Sequence, residues 1–349
     1  MIRVMHVLNT GKYSGAENVV MTIINLMKDR VDATYVSLDG TIKEYLEELD
    51  IDFYPIEKLA CKEIKKAIKD IKPDIIHAHD YTAGIICAMT GTGVPIVNHI
   101  HNNSPWIKHF NLKSIVYALS CIRYKRILTV SDAVMKEYVF GKILDFKTEE
   151  IGNPIDLKRI RINAYEEVMK EYDIAFLGRL TPQKNPLYFI EILRNLKCVN
   201  KDINAIVIGD GELRSEIEAK ISALGLNDVI SLVGFQKNAS FYLQKARILL
   251  MPSSWEGYGL AAVEALSLGI PVVCSNVGGL PSIVNENCGK ICRTLDDYTN
   301  SINTILKKEN YEMYSKNALK RAQELENIDS YICKLSTIYE EIIESKLGD

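Results

Sequence analysis

The sequence predicts an α/β protein built from two doubly wound parallel-sheet domains. Three observations carry that expectation. The chain has 349 residues, which suits about two domains. Short apolar runs alternate with helical periodicity, as in parallel sheets covered on both faces. The alternation is interrupted once, at EEIGNPIDLKR (Glu149–Arg159), and then restarts.

In order, Ile2–Leu8 reads as a strand, Gly15–Met27 as a helix and Ala33–Leu38 as a second strand. A helix over Ile42–Leu49 passes into a strand over Ile51–Ile56. The helical Lys62–Ile71 stops before Pro73, which cannot continue it. Strands at Asp74–His79, Pro95–Ile100 and Arg126–Val130 complete the first domain, residues 1–155. A linker near Gly152–Asp156 and a polar helical stretch come next. The second domain, 156–329, has strands at Tyr172–Leu177, Ile203–Ile208, Val229–Val233, Arg247–Met251 and Ile270–Cys274. An apolar helix from Leu260 to Leu268 precedes the last of these. Residues 330–349 form an amphipathic helix with no strand after it.

The net charge of −3 gives no basic field of the kind that attracts nucleic acid. The N-terminus carries Arg3 and is polar by Asn9, unlike a secretory signal, and no run of 18 apolar residues occurs. A soluble, cytoplasmic protein is expected. Only Cys288 and Cys292 lie close together among eight cysteines, with no second pair to complete a zinc site, so all eight are read as reduced packing residues.

Open parallel sheets bind ligands at the carboxyl ends of their strands. After the first strand comes NTGKYSGAEN, which lacks the GxGxxG of dinucleotide sites. Its Gly15-Ala16 still opens a helix, where free amides can meet a phosphate. After Tyr172–Leu177 comes GRLTPQKNP. Lys184, just ahead of Pro186, opposes the helix dipole, and no acid in that stretch compensates Arg179 and Lys184. A diphosphate between the two cations would. GDGELR places Gly209 and Gly211 at the next strand end. Gly234-Phe235 follows the third, where backbone groups could face a base edge.

The stretch SWEGYGLAAVEALSLGIPVV (Ser254–Val273) holds two acids of different setting. Glu256 lies in a loop with Gly257, Tyr258, Gly259 and Leu260. Glu264 lies in the second turn of an apolar helix, where an acid is costly unless hydrogen-bonded. No basic residue near it in sequence offers a partner, so ligand hydroxyls are expected to. The two carboxylates serve different parts of one ligand and do not form a glycosidase-type pair.

Gly178-Arg179, Lys184, Gly209-Asp210-Gly211, Val233-Gly234 and the Glu256-x7-Glu264 stretch together resemble the retaining nucleotide-sugar glycosyltransferases of the group 1, family-4 type. The resemblance covers nearly the whole chain. It implies the GT-B fold, two facing Rossmann-like domains with the last helix crossing back to the first. It also implies no metal, no cofactor and a nucleotide-diphosphate sugar donor, taken to be a UDP-sugar. Arg179 and Lys184 would hold the diphosphate, Glu256 the sugar hydroxyls and Glu264 the ribose. Backbone at Gly15 would cap the phosphates, and the base would lie near Gly234. The family's histidine beside the donor sugar corresponds to His101 in IVNHIHNNS, with His79 facing the acceptor. Ser282 departs from the pattern, since the family often has an acid there. Asp50-Ile51-Asp52 matches a metal-binding DxD only by chance.

The mechanism implied is attack by the acceptor hydroxyl on the face the diphosphate leaves, with the cations stabilising the leaving charge. Trp106–Arg126 reads as a basic amphipathic helix that could rest on anionic lipid at the inner face of a membrane. The expected acceptor is a saccharide or lipid-linked saccharide of cell-surface polysaccharide assembly. A nucleotide-sugar epimerase of the same two-domain fold is the alternative, and a non-catalytic sugar-nucleotide sensor a third reading.

Overall fold

Seven parallel strands form the sheet of the first unit: β1 (Ile2–Val7), β2 (Val31–Leu38), β3 (Asp52–Ile56), β4 (Ile75–His79), β5 (Ile96–Ile100), β6 (Tyr124–Thr129) and β7 (Thr148–Glu150). Their order is β3-β2-β1-β4-β5-β6-β7. Six parallel strands form the second: β8 (Tyr172–Leu177), β9 (Ala205–Ile208), β10 (Ile230–Gly234), β11 (Ala246–Met251), β12 (Val272–Ser275) and β13 (Gly289–Cys292), in the order β10-β9-β8-β11-β12-β13. This computed structural model describes residues 1–162 and 168–348. The first unit comprises Met1–Pro154 and Asn327–Asp349, and the second Ile155–Glu326. The polar helical stretch expected after the linker is a helix over Leu157–Ile162; residues 163–167 lie outside the described residues.

Among the helices are α1 (Gly15–Met27), α2 (Pro186–Val199), α3 (Leu260–Ser267) and α4 (Ile328–Gly348). In the second unit the strands bury both faces. Ile174 and Phe176 of β8 pack with Phe189, Ile190 and Leu193 of α2 on one side. Ala175 packs with Leu249 of β11 and with Ala262, Val263 and Leu266 of α3 on the other. Each fully buried Leu, Ile or Phe adds about 1.5–3 kcal/mol. In the first unit α1 lays Val20, Met21 and Ile24 on Tyr35 of β2. Helix α4 buries Tyr331, Leu335, Ile338, Tyr339 and Ile342 along one stripe. Its Lys334 pairs with Glu149 at 3.1 Å, and its Tyr339 hydroxyl meets His77 Nδ1 at 2.6 Å.

Three expectations are corrected. Trp106–Arg126 is not one helix. Pro105 opens a short 3-10 turn, Pro105–Lys108, and Asn111 with Ser114 forms a capping box that starts a new helix over Leu112–Ser120. A second 3-10 turn, Cys121–Arg123, then leads into β6, which carries Lys125 and Arg126. The cysteines are all free thiols, but Cys198 and Cys333 are exposed and lie outside the core. Strands β7 and β13 escape the apolar-run criterion because each is a short edge strand of mixed polarity, TEE and GKIC.

Candidate active site

Both sheets reverse strand order beside their first strand, and a reversal opens a crevice at the carboxyl ends. In the second unit that point lies between β8 and β11. The loops leaving these two strands are 178–185 and 252–259, which hold the residues singled out by pattern. Backbone and side chain tie them together. Ser254 N–H donates to the Gln183 carbonyl at 2.8 Å, and the Gln183 amide to the Trp255 carbonyl at 3.3 Å.

Across that point Lys184 Nζ donates to Glu256 Oε1 at 2.5 Å, and Ser253 Oγ donates to the same oxygen at 2.8 Å. The side chains are 19% and 5% exposed. Lys184 is therefore not uncompensated: its acid comes from 72 residues away. Glu256 is buried rather than a solvated loop acid. Arg179, at the end of β8, is exposed, and among the described residues its guanidinium has no hydrogen bond or ion pair. Asn185, with φ of 53°, caps α2 in the left-handed region that Asn tolerates.

Glu264 lies in the second turn of α3 and is partly buried. No described residue hydrogen-bonds its carboxylate. Burial pushes its carboxyl up to about 7, while the charge of Lys184 pulls the other way. Lys184 is thus the cation near Glu264 that sequence distance hides.

The loop holding Glu256 rests on a glycine pair. A Cβ on Gly278, whose φ is 53°, would stand 1.7 Å from the Glu256 carbonyl oxygen. Gly279 N–H donates to the Gly257 carbonyl at 3.0 Å. Gly257 and Gly259 are buried, Tyr258 and Leu260 partly so. At the neighbouring strand ends, Gly209 N–H donates to the Gly234 carbonyl at 2.8 Å. That carbonyl is engaged at the strand end. Phe235 beside it is 55% exposed. A Cβ on Gly209 would meet the Gly178 carbonyl at 2.0 Å, so its glycine serves strand-end packing.

In the first unit Gly15 is exposed and Ala16 partly so, at the start of α1. A Cβ on Gly15 would meet nothing within 4 Å. Ser14 makes no side-chain cap; its hydroxyl donates instead to the Glu17 carboxylate. His101 follows β5 and belongs to a group the sequence reveals only in part. His6 of β1 pairs in register with His77 of β4, and His79 with His99 of β5. Five of the chain's six histidines therefore share one face of the sheet. His79 Nδ1 lies 2.9 Å from His101 Nε2, and His79 Nε2 lies 3.0 Å from His6 Nδ1. Burial draws all five imidazoles down, His6 and His101 to about 3, so they are neutral at physiological pH. His6, His77, Ser253, Gln183 and Gly278 do not stand out from sequence. The odd or even parity of histidines across three strands is the available signal, but it needs the register.

The cations, the glycines and an acid without a described partner thus gather at the strand-order reversal of the second unit, where open parallel sheets bind ligands. The comparisons make this specific. Residues 158–321 match the sequence model of glycosyl transferases group 1, and residues 13–159 that of glycosyltransferase family 4. The chain belongs to the group 1 glycosyltransferases of GT-B fold. It is 24% identical to the UDP-Gal:alpha-D-GlcNAc-diphosphoundecaprenol alpha-1,3-galactosyltransferase of Escherichia coli, over 99% of this chain and 98% of that one. It is 23% identical to a Campylobacter jejuni alpha-1,4-N-acetyl-D-galactosaminyltransferase named for an undecaprenol-diphosphate saccharide, over 93% and 95%. Anabaena HepE, solved with UDP and glucose, has the same fold, with a TM-score of 0.85 at 20% identity, covering 98% of this chain and 100% of that one.

Proposed function

We propose that the protein transfers a sugar, with retention, from a nucleoside-diphosphate sugar to a lipid-linked saccharide. One observation carries this reading. Beside the β8/β11 switch point stand an unpaired Arg179, the Lys184–Glu256 pair and the partnerless carboxylate of Glu264. That set matches a diphosphate, a sugar and a diol within one ligand. Arg179 and Lys184 take the diphosphate, and Glu264 accepts from the ribose hydroxyls. Glu256, held by Ser253 and Lys184, meets the sugar. For Gly15, Ala16 and His101 of the first unit, the donor role rests on the family resemblance alone. As the bond to the anomeric carbon breaks, the diphosphate oxygen gains charge, which the two cations stabilise without a metal. The acceptor hydroxyl attacks from that same face and gives its proton to the leaving phosphate.

For the acceptor, both relatives carry undecaprenol diphosphate in their names. Around Trp106–Arg126 this chain exposes Phe110, Leu112, Leu119 and Ile122, together with Lys108, Lys113 and Arg123. A cleft of about 630 Å³ at the amino ends of β5 and β6 adds Lys125, Arg126, Lys147 and Lys346 beside Ile122 and Phe146. Apolar groups set among cations suit an anionic membrane surface. No described helix is long and apolar enough to cross a membrane. The epimerase alternative gains nothing from these relatives, which are named as transferases. A mass-spectrometric screen of nucleotide sugars, without acceptor and with undecaprenol-diphosphate saccharides, tests the proposal. Slow hydrolysis of one donor and transfer on adding acceptor is expected. Conversion of the sugar to its epimer would overturn it.

A further inference from the structure

We infer that His79, His99 and His101 form a binding site for a zinc-class divalent ion. One ring nitrogen from each lies within 4.8 Å of the other two. His79 Nδ1 and His101 Nε2 are 2.9 Å apart. A tetrahedral ion with metal–nitrogen bonds of about 2.0–2.1 Å spaces its ligands by about 3.3 Å, so small rotations seat it.

Two observations point to a ligand here. His99 is fully buried, yet among the described residues neither of its ring nitrogens has a partner, and the buried His101 Nδ1 has none either. A neutral imidazole carries one N–H and one lone pair, and leaving both unmet in the interior costs free energy. An ion takes up the lone pairs. For His79 an outer-shell partner is in place as well. With Nδ1 on the ion, His79 donates its Nε2–H to His6 Nδ1 at 3.0 Å, which fixes tautomer and ring plane. The Asp80 carboxylate accepts from the His101 backbone amide at 2.9 Å and brings negative charge beside the site.

His101 is only partly buried, at the strand's carboxyl end, and offers the way in. A fourth position stays open to water, as in reactive zinc sites. Binding does not depend on the transferase reading. One consequence does: an ion on His101 removes it from the donor, so the site is inhibitory.

The test uses the full chain stripped with EDTA, with Co2+ as the spectroscopic probe and Zn2+ as competitor. The expected result is one equivalent of Co2+ with visible bands of a four-coordinate nitrogen and oxygen site, displaced by Zn2+. His109→Ala, which alters the one exposed histidine outside the cluster, should behave as wild type. His99→Phe should bind at least about 100-fold more weakly. X-ray absorption of the Zn2+-loaded wild type, which needs no variant, should show three imidazole ligands. A wild type without Co2+ bands, a spectrum lacking imidazole, or a folded His99→Phe protein of unchanged affinity would each overturn the site. Those outcomes would leave a plain chain of hydrogen-bonded imidazoles. Sites that bind Zn2+ without loss of transfer would overturn the inhibitory role alone.

Discussion

Lys184 Nζ and Glu256 Oε1 meet at 2.5 Å across the switch point of the second sheet, although 72 residues separate them. With side chains only 19% and 5% exposed, they form a largely buried ion pair. Breaking such a pair from one side strands a buried charge, at about 3–5 kcal/mol. Lys184→Ala and Glu256→Ala should each lower stability by that order, and the double variant should lose less than their sum. Trp255 fluorescence during urea unfolding, in a Trp106→Phe background, reads the second unit. Additive losses would argue against the pair.

Turnover provides a separate reading of the cations. Arg179→Ala should leave stability within about 0.5 kcal/mol, since its exposed guanidinium makes no bond in the structure. It should lower kcat by roughly 10²–10³, the effect of removing one group that stabilises developing charge. Excess EDTA should leave wild-type turnover intact. Loss of activity restored only by manganese would contradict the metal-free assignment.

Gly278 and Gly15 make a contrasting pair. Gly278→Ala would force a Cβ against the Glu256 carbonyl in a left-handed backbone, so stability and turnover should both fall. Gly15→Ala meets open space and should leave stability unchanged or raise it by up to about 1 kcal/mol. If the first-turn amides of α1 meet the phosphates, its donor KM still rises. An unchanged KM would remove Gly15 from the donor site.

Much of this is legible in the sequence, and the misses have physical causes. The central strands announce themselves because both faces are buried, so Ile174–Phe176 or Leu249–Met251 can be nothing but apolar. Edge strands β7 and β13 lack that constraint. The loops ending in Lys184 and Glu256 stand out by their glycines and charges. Their mutual hydrogen bond depends on β8 lying beside β11, an order no local pattern encodes. The histidine group is half visible for the same reason: His99 in β5 and His101 just after it share parity, but His6 joins them only through the β1/β4 register. Trp106–Arg126 misleads because overall amphipathicity outweighs the stop at Pro105 and the cap at Asn111.

Glu264 also gives a pH signature. Its folded pKa of about 7 lies above the ordinary carboxylate range because of burial. Between that range and pH 7 the unfolded chain has lost a proton that the folded protein keeps. Stability therefore falls as pH rises through this window and levels off above 7. Glu264→Gln should flatten the slope, as followed by thermal unfolding from pH 5 to 8. An unchanged slope would place the effect elsewhere.

The division of labour between the two glutamates is tested most directly by calorimetric titration of UDP into Glu264→Gln and Glu256→Gln, beside their kinetics. UDP contains the ribose and diphosphate but no sugar. Glu264→Gln should bind it about 10–150-fold more weakly, the worth of a charged hydrogen bond of about 1.5–3 kcal/mol. Glu256→Gln should keep its affinity and lose turnover, since its contact strengthens as the sugar approaches the transition state. An equal loss of UDP affinity in both variants would contradict the account.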